Sequence, residues 1–208
     1  MSFTKDLERI KDILVKMAIL TKESVDKAYA LFTTMDDLES RRKVWNEVNE
    51  ISVILDNLRK ELVMEVLMFI ARKQPLGLEL REAQITISIA YDIYRISRYC
   101  REIARIDMLM TPESNVSKIR DIRAVFNLAK NAVEAVIRDL EELRPMGNDI
   151  VNDVDNKVDE EYGKVLREIT MNENVRREIA CKALLMRHIE RIVDHVEYIE
   201  QHLKELQP

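Results

Sequence analysis

The sequence predicts an all-α fold of six long helices, arranged as two tandem three-helix bundles. Three observations carry this. Three glycines and four prolines in 208 residues leave few turns, whereas strand-based folds need many. Apolar residues make up 47% of the chain and charged residues 34%, with few aromatics, which is the profile of long amphipathic helices. Apolar positions recur mostly at steps of three, four and seven, so they line helical faces.

Residues 3–33 place Leu7, Ile10, Leu14, Met17, Val25, Ala28 and Leu31 on one such face. Thr33 to Asp37 interrupt it, with Asp36 or Asp37 suited to cap the next helix. Residues 38–73 carry the second pattern, through Trp45, Val48, Ile51, Leu55, Leu58, Leu62, Val66 and Phe69. Pro75 stops it, because proline lacks an N–H and disfavours helix in the residue before it. The third helix spans 79–109. Its stretch Ile85-Thr86-Ile87-Ser88-Ile89 alternates like a strand, but the longer series Ile85, Ile89, Ile93, Ile96, Ile103 is helical. Thr111 can cap a fourth helix over 113–143, with Pro112 at its first position. Arg144 to Asp149 form the clearest turn. A fifth helix covers 150–170, and a sixth covers 174–206 after a break at Met171 to Asn174.

Helix order then repeats, three and three. Ile93, Arg95 and Ile96 match Ile189, Arg191 and Ile192 in register. The expected repeats are residues 1–111 and 112–208.

Composition narrows function by exclusion. The net charge of −5 comes from interspersed acids and bases without a basic block, so nothing favours nucleic acid. The N-terminus gains charge at once, and no run nears the roughly 18 apolar residues of a membrane span. A cytoplasmic protein is expected, with Cys100 and Cys181 as reduced thiols outside any CxxC pair. No nucleotide-binding loop, nucleophile elbow or Glu-x-x-His ferritin-type pattern is present, so catalysis is not expected. Trp45 is expected at a helix–helix seam and the ten methionines in the core.

Glu190 and Asp194 stand one helical turn apart beside the apolar stripe Ile189, Ile192, Val193 and Val196. Such a pair is either a solvated charge pair or half of a metal site. His188, His195 and His202 fall seven apart on one stripe, with successive rings ~10 Å apart, too far to share an ion. His195 could join the acids only as an edge ligand; exposed or half-buried histidines are otherwise expected.

Two motifs then point to a family. Ala71-Arg72-Lys73-Gln74-Pro75 followed by Glu79-Leu80-Arg81 resembles the "A-[KR]-x-Q-P…[DE]-L-R" link of the PhoU family. Ile189-Glu190-Arg191-Ile192-Val193-Asp194-His195 resembles that family's "L-E-R-I-G-D-H" helix. The resemblance extends over the whole chain and its two-repeat plan. It implies a cytoplasmic negative regulator of phosphate uptake, often dimeric, working with a phosphate-specific ABC transporter and, where present, a phosphate-sensing histidine kinase. Its approach to the membrane would be through these partners only.

The resemblance also implies an "[ED]-x-x-x-D" signature on two helices of each repeat, which in some members binds metal. In the second repeat it falls on Asp155 and Asp159 of helix five and on Glu190 and Asp194 of helix six. Four carboxylates near a core need a counter-charge, and a metal ion such as iron, zinc, manganese or magnesium would supply it; all-oxygen ligation favours the harder ions. The alternative is a charged rim with ordinary ion pairs. In the first repeat the matching positions hold Ser52, Asp56, Tyr94 and Arg98. Arg98 is expected to balance Asp56 and Asp92 there, in place of a metal cluster. Two further readings stay open: a PhoU-like module serving another transporter or channel, and a metal-dependent hydrolase or oxidase.

Overall fold

The computed structural model describes residues 5–33, 37–110, 119, 121–142 and 150–206. These residues form six α-helices and no strand: α1 (Lys5–Ala30), α2 (Leu38–Lys73), α3 (Leu78–Leu109), α4 (Ile122–Glu142), α5 (Ile150–Met171) and α6 (Arg177–Glu205). The expected all-α, six-helix fold is therefore present.

Local chemistry explains the helix ends. Asp37 caps α2, its carboxylate accepting the Ser40 N–H at 2.7 Å. At the other end Gln74 turns left-handed (φ 48°) and donates its N–H to Ile70. Pro75 follows, and Gly77 takes a positive φ of 59° that a side chain would resist. The chain thus reverses into α3 within four residues. Thr86 and Ser88, which look strand-like in sequence, hydrogen-bond back to the Glu82 and Gln84 carbonyls as helical residues do.

The fourth helix is described from Ile122, and residues 113–118 and 120 of its predicted span lie outside the described residues. Asp121, just before it, sits in the left-handed region (φ 71°). A residue at that φ cannot continue a right-handed helix, and aspartate is among the few that tolerate it. Thr111, Pro112 and the turn at 144–149 lie outside the described residues, as does Asp36.

Packing joins the helices into one apolar core. α1 packs on α2 and α3, and α4 on α5 and α6, while α3 meets α6 and α1 meets α4. The core runs continuously through Leu14 and Met17 of α1, Leu55 and Leu62 of α2, Ile93 and Ile96 of α3, Phe126 of α4, Val158 of α5 and Ile192 of α6. Trp45 packs partly buried against it. Across α1 and α4, the rings of Tyr29 and Phe32 meet Phe126 edge-on at 5.9 and 5.1 Å. Beside them Asp26 binds Lys22 at 2.9 Å and Lys130 at 2.6 Å, tying α1 to α4 through a shared carboxylate.

One buried ion pair ties α2 to α3. Arg41 is 1% exposed, and its Nε donates to Asp107 at 2.8 Å while Nη2 reaches the Asp107 carbonyl. Both charges are out of water, so each depends on the other. The two cysteines are free thiols. Burial pushes Cys100 up to about 12, so it stays protonated.

Candidate functional site

Helices α5 and α6 pack side by side and bring the four expected carboxylates onto one face. Asp155 feels Asp159, Asp194 and Glu197, while Glu190 feels Asp194 and Asp159. Glu190 is 9% exposed, Asp155 and Asp194 are half-buried, and Asp159 is exposed. Burial first, and these like charges second, push Asp155 up to about 6. Glu190 is raised by burial and by Asp194, against the pull of Arg187 and Arg191. Glu197 is a fifth acid that the sequence reading missed. It lies three residues beyond Asp194 and seven beyond Glu190, a spacing that places it on the same helical face.

Two arginines already hold part of this charge. Arg187 Nη1 stands 2.5 Å from Glu190 Oε1, and Arg191 Nη1 stands 2.7 Å from Asp194 Oδ2. Glu190 Oε2 is buried and without a hydrogen bond, its nearest cation being Arg191 Nε at 3.7 Å. The donor set suits a hard cation, with excess negative charge and an unused buried carboxylate oxygen. Its spacing is more open than a formed centre: among the described residues no three His, Cys, Asp or Glu side chains converge at ligand distance.

The corresponding face of α2 and α3 has the opposite character. Asp56 is bound by Arg59 at 2.9 Å and Lys60 at 2.6 Å. Arg98 does not pair with it, contrary to expectation; its Nη1 donates to the Tyr94 hydroxyl at 3.3 Å. Arg59 is closer in sequence, one turn along the same helix, so it reaches Asp56 first.

Asp92 is committed elsewhere too. It is buried, and its Oδ1 lies 2.8 Å from His195 Nδ1 on α6. His195 is only 8% exposed, with its ring stacked on Tyr99 at 5.8 Å. It therefore faces α3 and does not join the α5–α6 carboxylates. His202 Nε2 lies 3.6 Å from Asp92 Oδ2. His188 and His202 are half-buried, and burial lowers the His188 pKa. Asp92, His195 and His202 line a cleft of about 470 Å³ with Val63, Tyr91 and Tyr198. The alternation His188, Ile192, His195, Ile199, His202 is a heptad stripe, and it signals a helix-facing side.

The comparisons with known proteins agree with this architecture. Residues 14–107 match the PhoU domain family model. A Synechocystis sp. phosphate-specific transport system accessory protein PhoU homolog is 25% identical over 203 residues, covering 96% of this chain and 88% of that protein. A Rhizobium meliloti protein of the same description is 25% identical, covering 96% and 84%. The crystal structure of PhoU from Pseudomonas aeruginosa superposes with a TM-score of 0.82 at 20% identity, over 99% of this chain and 98% of that one.

Over nearly its whole length the chain is similar to PhoU proteins. The phosphate transport system regulatory protein PhoU from Streptococcus pneumoniae shares the PhoU fold as well, with a TM-score of 0.76 at 13% identity over 96% and 94% of the two chains. The PhoU domain match ends within α3, yet the likeness to whole PhoU chains continues through α6. No described helix is long and apolar enough to cross a membrane.

Proposed function

We propose that this PhoU-like protein is an accessory regulator of phosphate uptake that acts by binding, without catalysing a reaction. The observation that carries this reading is the near full-length match to phosphate-specific transport accessory proteins in sequence, alongside PhoU structures in fold. In this reading it works in the cytoplasm as a homodimer, represses uptake, and docks on components of a phosphate-specific ABC transporter, with a phosphate-sensing signalling protein as a second contact. Affinity capture from phosphate-fed cells should recover the transporter's subunits. Recovery of unrelated proteins alone would refute the reading.

The α5–α6 carboxylates are proposed as a metal site, held by Asp155, Asp159, Glu190 and Asp194. A bound cation would neutralise their shared charge, and iron, zinc, manganese and magnesium are the candidates. Arg187 and Arg191 must then release Glu190 and Asp194, so metal and arginine compete for the same oxygens. The support is the raised Asp155 and the unpartnered Glu190 Oε2. Elemental analysis of protein purified without chelator should find metal that Asp159→Ala with Glu190→Ala removes. Equal metal content in both proteins would rule the site out.

A further inference from the structure

Positive charge on the α2–α3 face exceeds the acids that could balance it. Arg59, Lys60 and Arg98 are grouped around one carboxylate, Asp56, which binds Arg59 and Lys60. Glu102 is the next acid along α3, but Arg105 at 2.5 Å and Arg101 at 3.6 Å already hold it. Arg98 is left with the Tyr94 hydroxyl alone. Its Nε is buried and donates to nothing.

The surroundings keep these donors in place. The Arg59 guanidinium lies 5.2 Å from the centre of the Tyr94 ring, so Tyr94 sits between the two arginines. Ser52, one turn before Asp56 on α2, is 2% exposed, and its hydroxyl has no partner. Arg95 repeats the pattern on the side of α3 toward α6: its Nη2 rests on the Tyr99 hydroxyl, and its Nε is also buried without an acceptor. Buried donors nearly always have acceptors, and a group of them with surplus positive charge lacks one of a particular kind. Guanidinium forks match the oxygens of a tetrahedral oxyanion, and a neighbouring phenol adds a further donor.

We propose that Arg59, Tyr94 and Arg98 form a binding site for a small, freely diffusing oxyanion of the phosphate class. Asp56 keeps the Arg59 guanidinium oriented beside Tyr94, and Lys60 offsets the Asp56 charge. The site depends on neither metal at α5–α6 nor transporter docking, because none of its residues belongs to the α5–α6 face.

Equilibrium dialysis of the full chain against radiolabelled inorganic phosphate, in chloride buffer at neutral pH, tests it. One saturable site is expected in the unaltered protein, with sulfate competing. Arg98→Gln should weaken it at least about tenfold, the effect of one charge-assisted hydrogen bond. Arg98→Lys should restore part of the affinity by returning the charge without the fork. Tyr94→Phe, which removes only a hydroxyl, should weaken binding measurably and serves if Arg98→Gln does not fold. Vesicles of phosphatidylcholine doped with phosphatidic acid form the second arm. No saturable phosphate binding, equal affinity in Arg98→Gln and Tyr94→Phe, or binding to the vesicles alone would overturn the proposal.

Discussion

The α5–α6 face and the α2–α3 face occupy matching helix positions and carry opposite charge. Tyr94, Arg95 and Arg98 align with Glu190, Arg191 and Asp194. Where one face gathers Asp155, Asp159, Glu190, Asp194 and Glu197 around two arginines, the other gathers Arg59, Lys60 and Arg98 around Asp56. Helix packing holds both faces in place, while the side chains at a few positions set the sign of the field. The same scaffold therefore presents faces of opposite charge on different helix pairs.

Both faces differ from the buried charges of the interior, which have opposite partners across helices. Arg41 meets Asp107, and Asp92 meets His195 with His202 beyond it. Breaking a matched pair should cost stability; thinning an unmatched cluster should not. Arg41→Met tests the largest of these effects. It removes the guanidinium from the buried Asp107 carboxylate and should cost about 3–5 kcal/mol in urea unfolding. A loss below about 1 kcal/mol would show that water reaches the pair.

Asp92→Ala should cost about 1–3 kcal/mol, because it leaves the buried His195 Nδ1 without its partner across α3 and α6. The loss should appear in thermal unfolding monitored by circular dichroism. No change would mean that the histidine finds another acceptor.

Asp155→Asn, in chelated protein, should move the other way. Asp155 has its folded pKa at about 6, above the ordinary 3.8. Between those values the folded state holds a proton that the unfolded state has released. Stability therefore falls as pH rises through this window and stays lowered above it. The variant escapes that penalty and should be more stable by about 1 kcal/mol at pH 7, allowing for solvent screening. The gain should fade as pH drops toward 4. A gain independent of pH would contradict the electrostatic origin.

Arg98→Gln should have the smallest effect on stability, within about 0.5 kcal/mol, because Arg98 is matched to no acid. A large loss would recast Arg98 as a structural strut and weaken the contrast between the faces.

The fold was largely legible because burial imposes a local period. The face Val48, Leu55, Leu62 and Val66 and the series Ile89, Ile93, Ile96 and Ile103 are all buried. Pro75 and Asp37 ended and began helices by chemistry confined to a few residues. The left-handed backbone at Asp121 was not legible: Ile119 and Ile122 fit a helical period, and nothing in that period marks the residue before Ile122 as a break.

The site was legible in one direction only. Spacing could place Glu190 and Asp194 on one face, and the family signature added Asp155 and Asp159. Neither could show that Arg187 and Arg191 reach forward one turn to hold Glu190 and Asp194. Asp92 and His195 are 103 residues apart, and Arg41 and Asp107 are 66 apart. Such pairs leave no periodic trace, because each partner satisfies only its own helix pattern.

The opposed signs of the two faces can be tested directly by one crossed binding measurement. Equilibrium dialysis against Mn²⁺ and, separately, inorganic phosphate would be run on the unaltered chain, on Asp159→Ala with Glu190→Ala, and on Arg98→Gln. The carboxylate variant should lose Mn²⁺ and keep phosphate, and the arginine variant should lose phosphate and keep Mn²⁺. Loss of both ligands in either variant, or of neither in both, would contradict two independent sites of opposite charge.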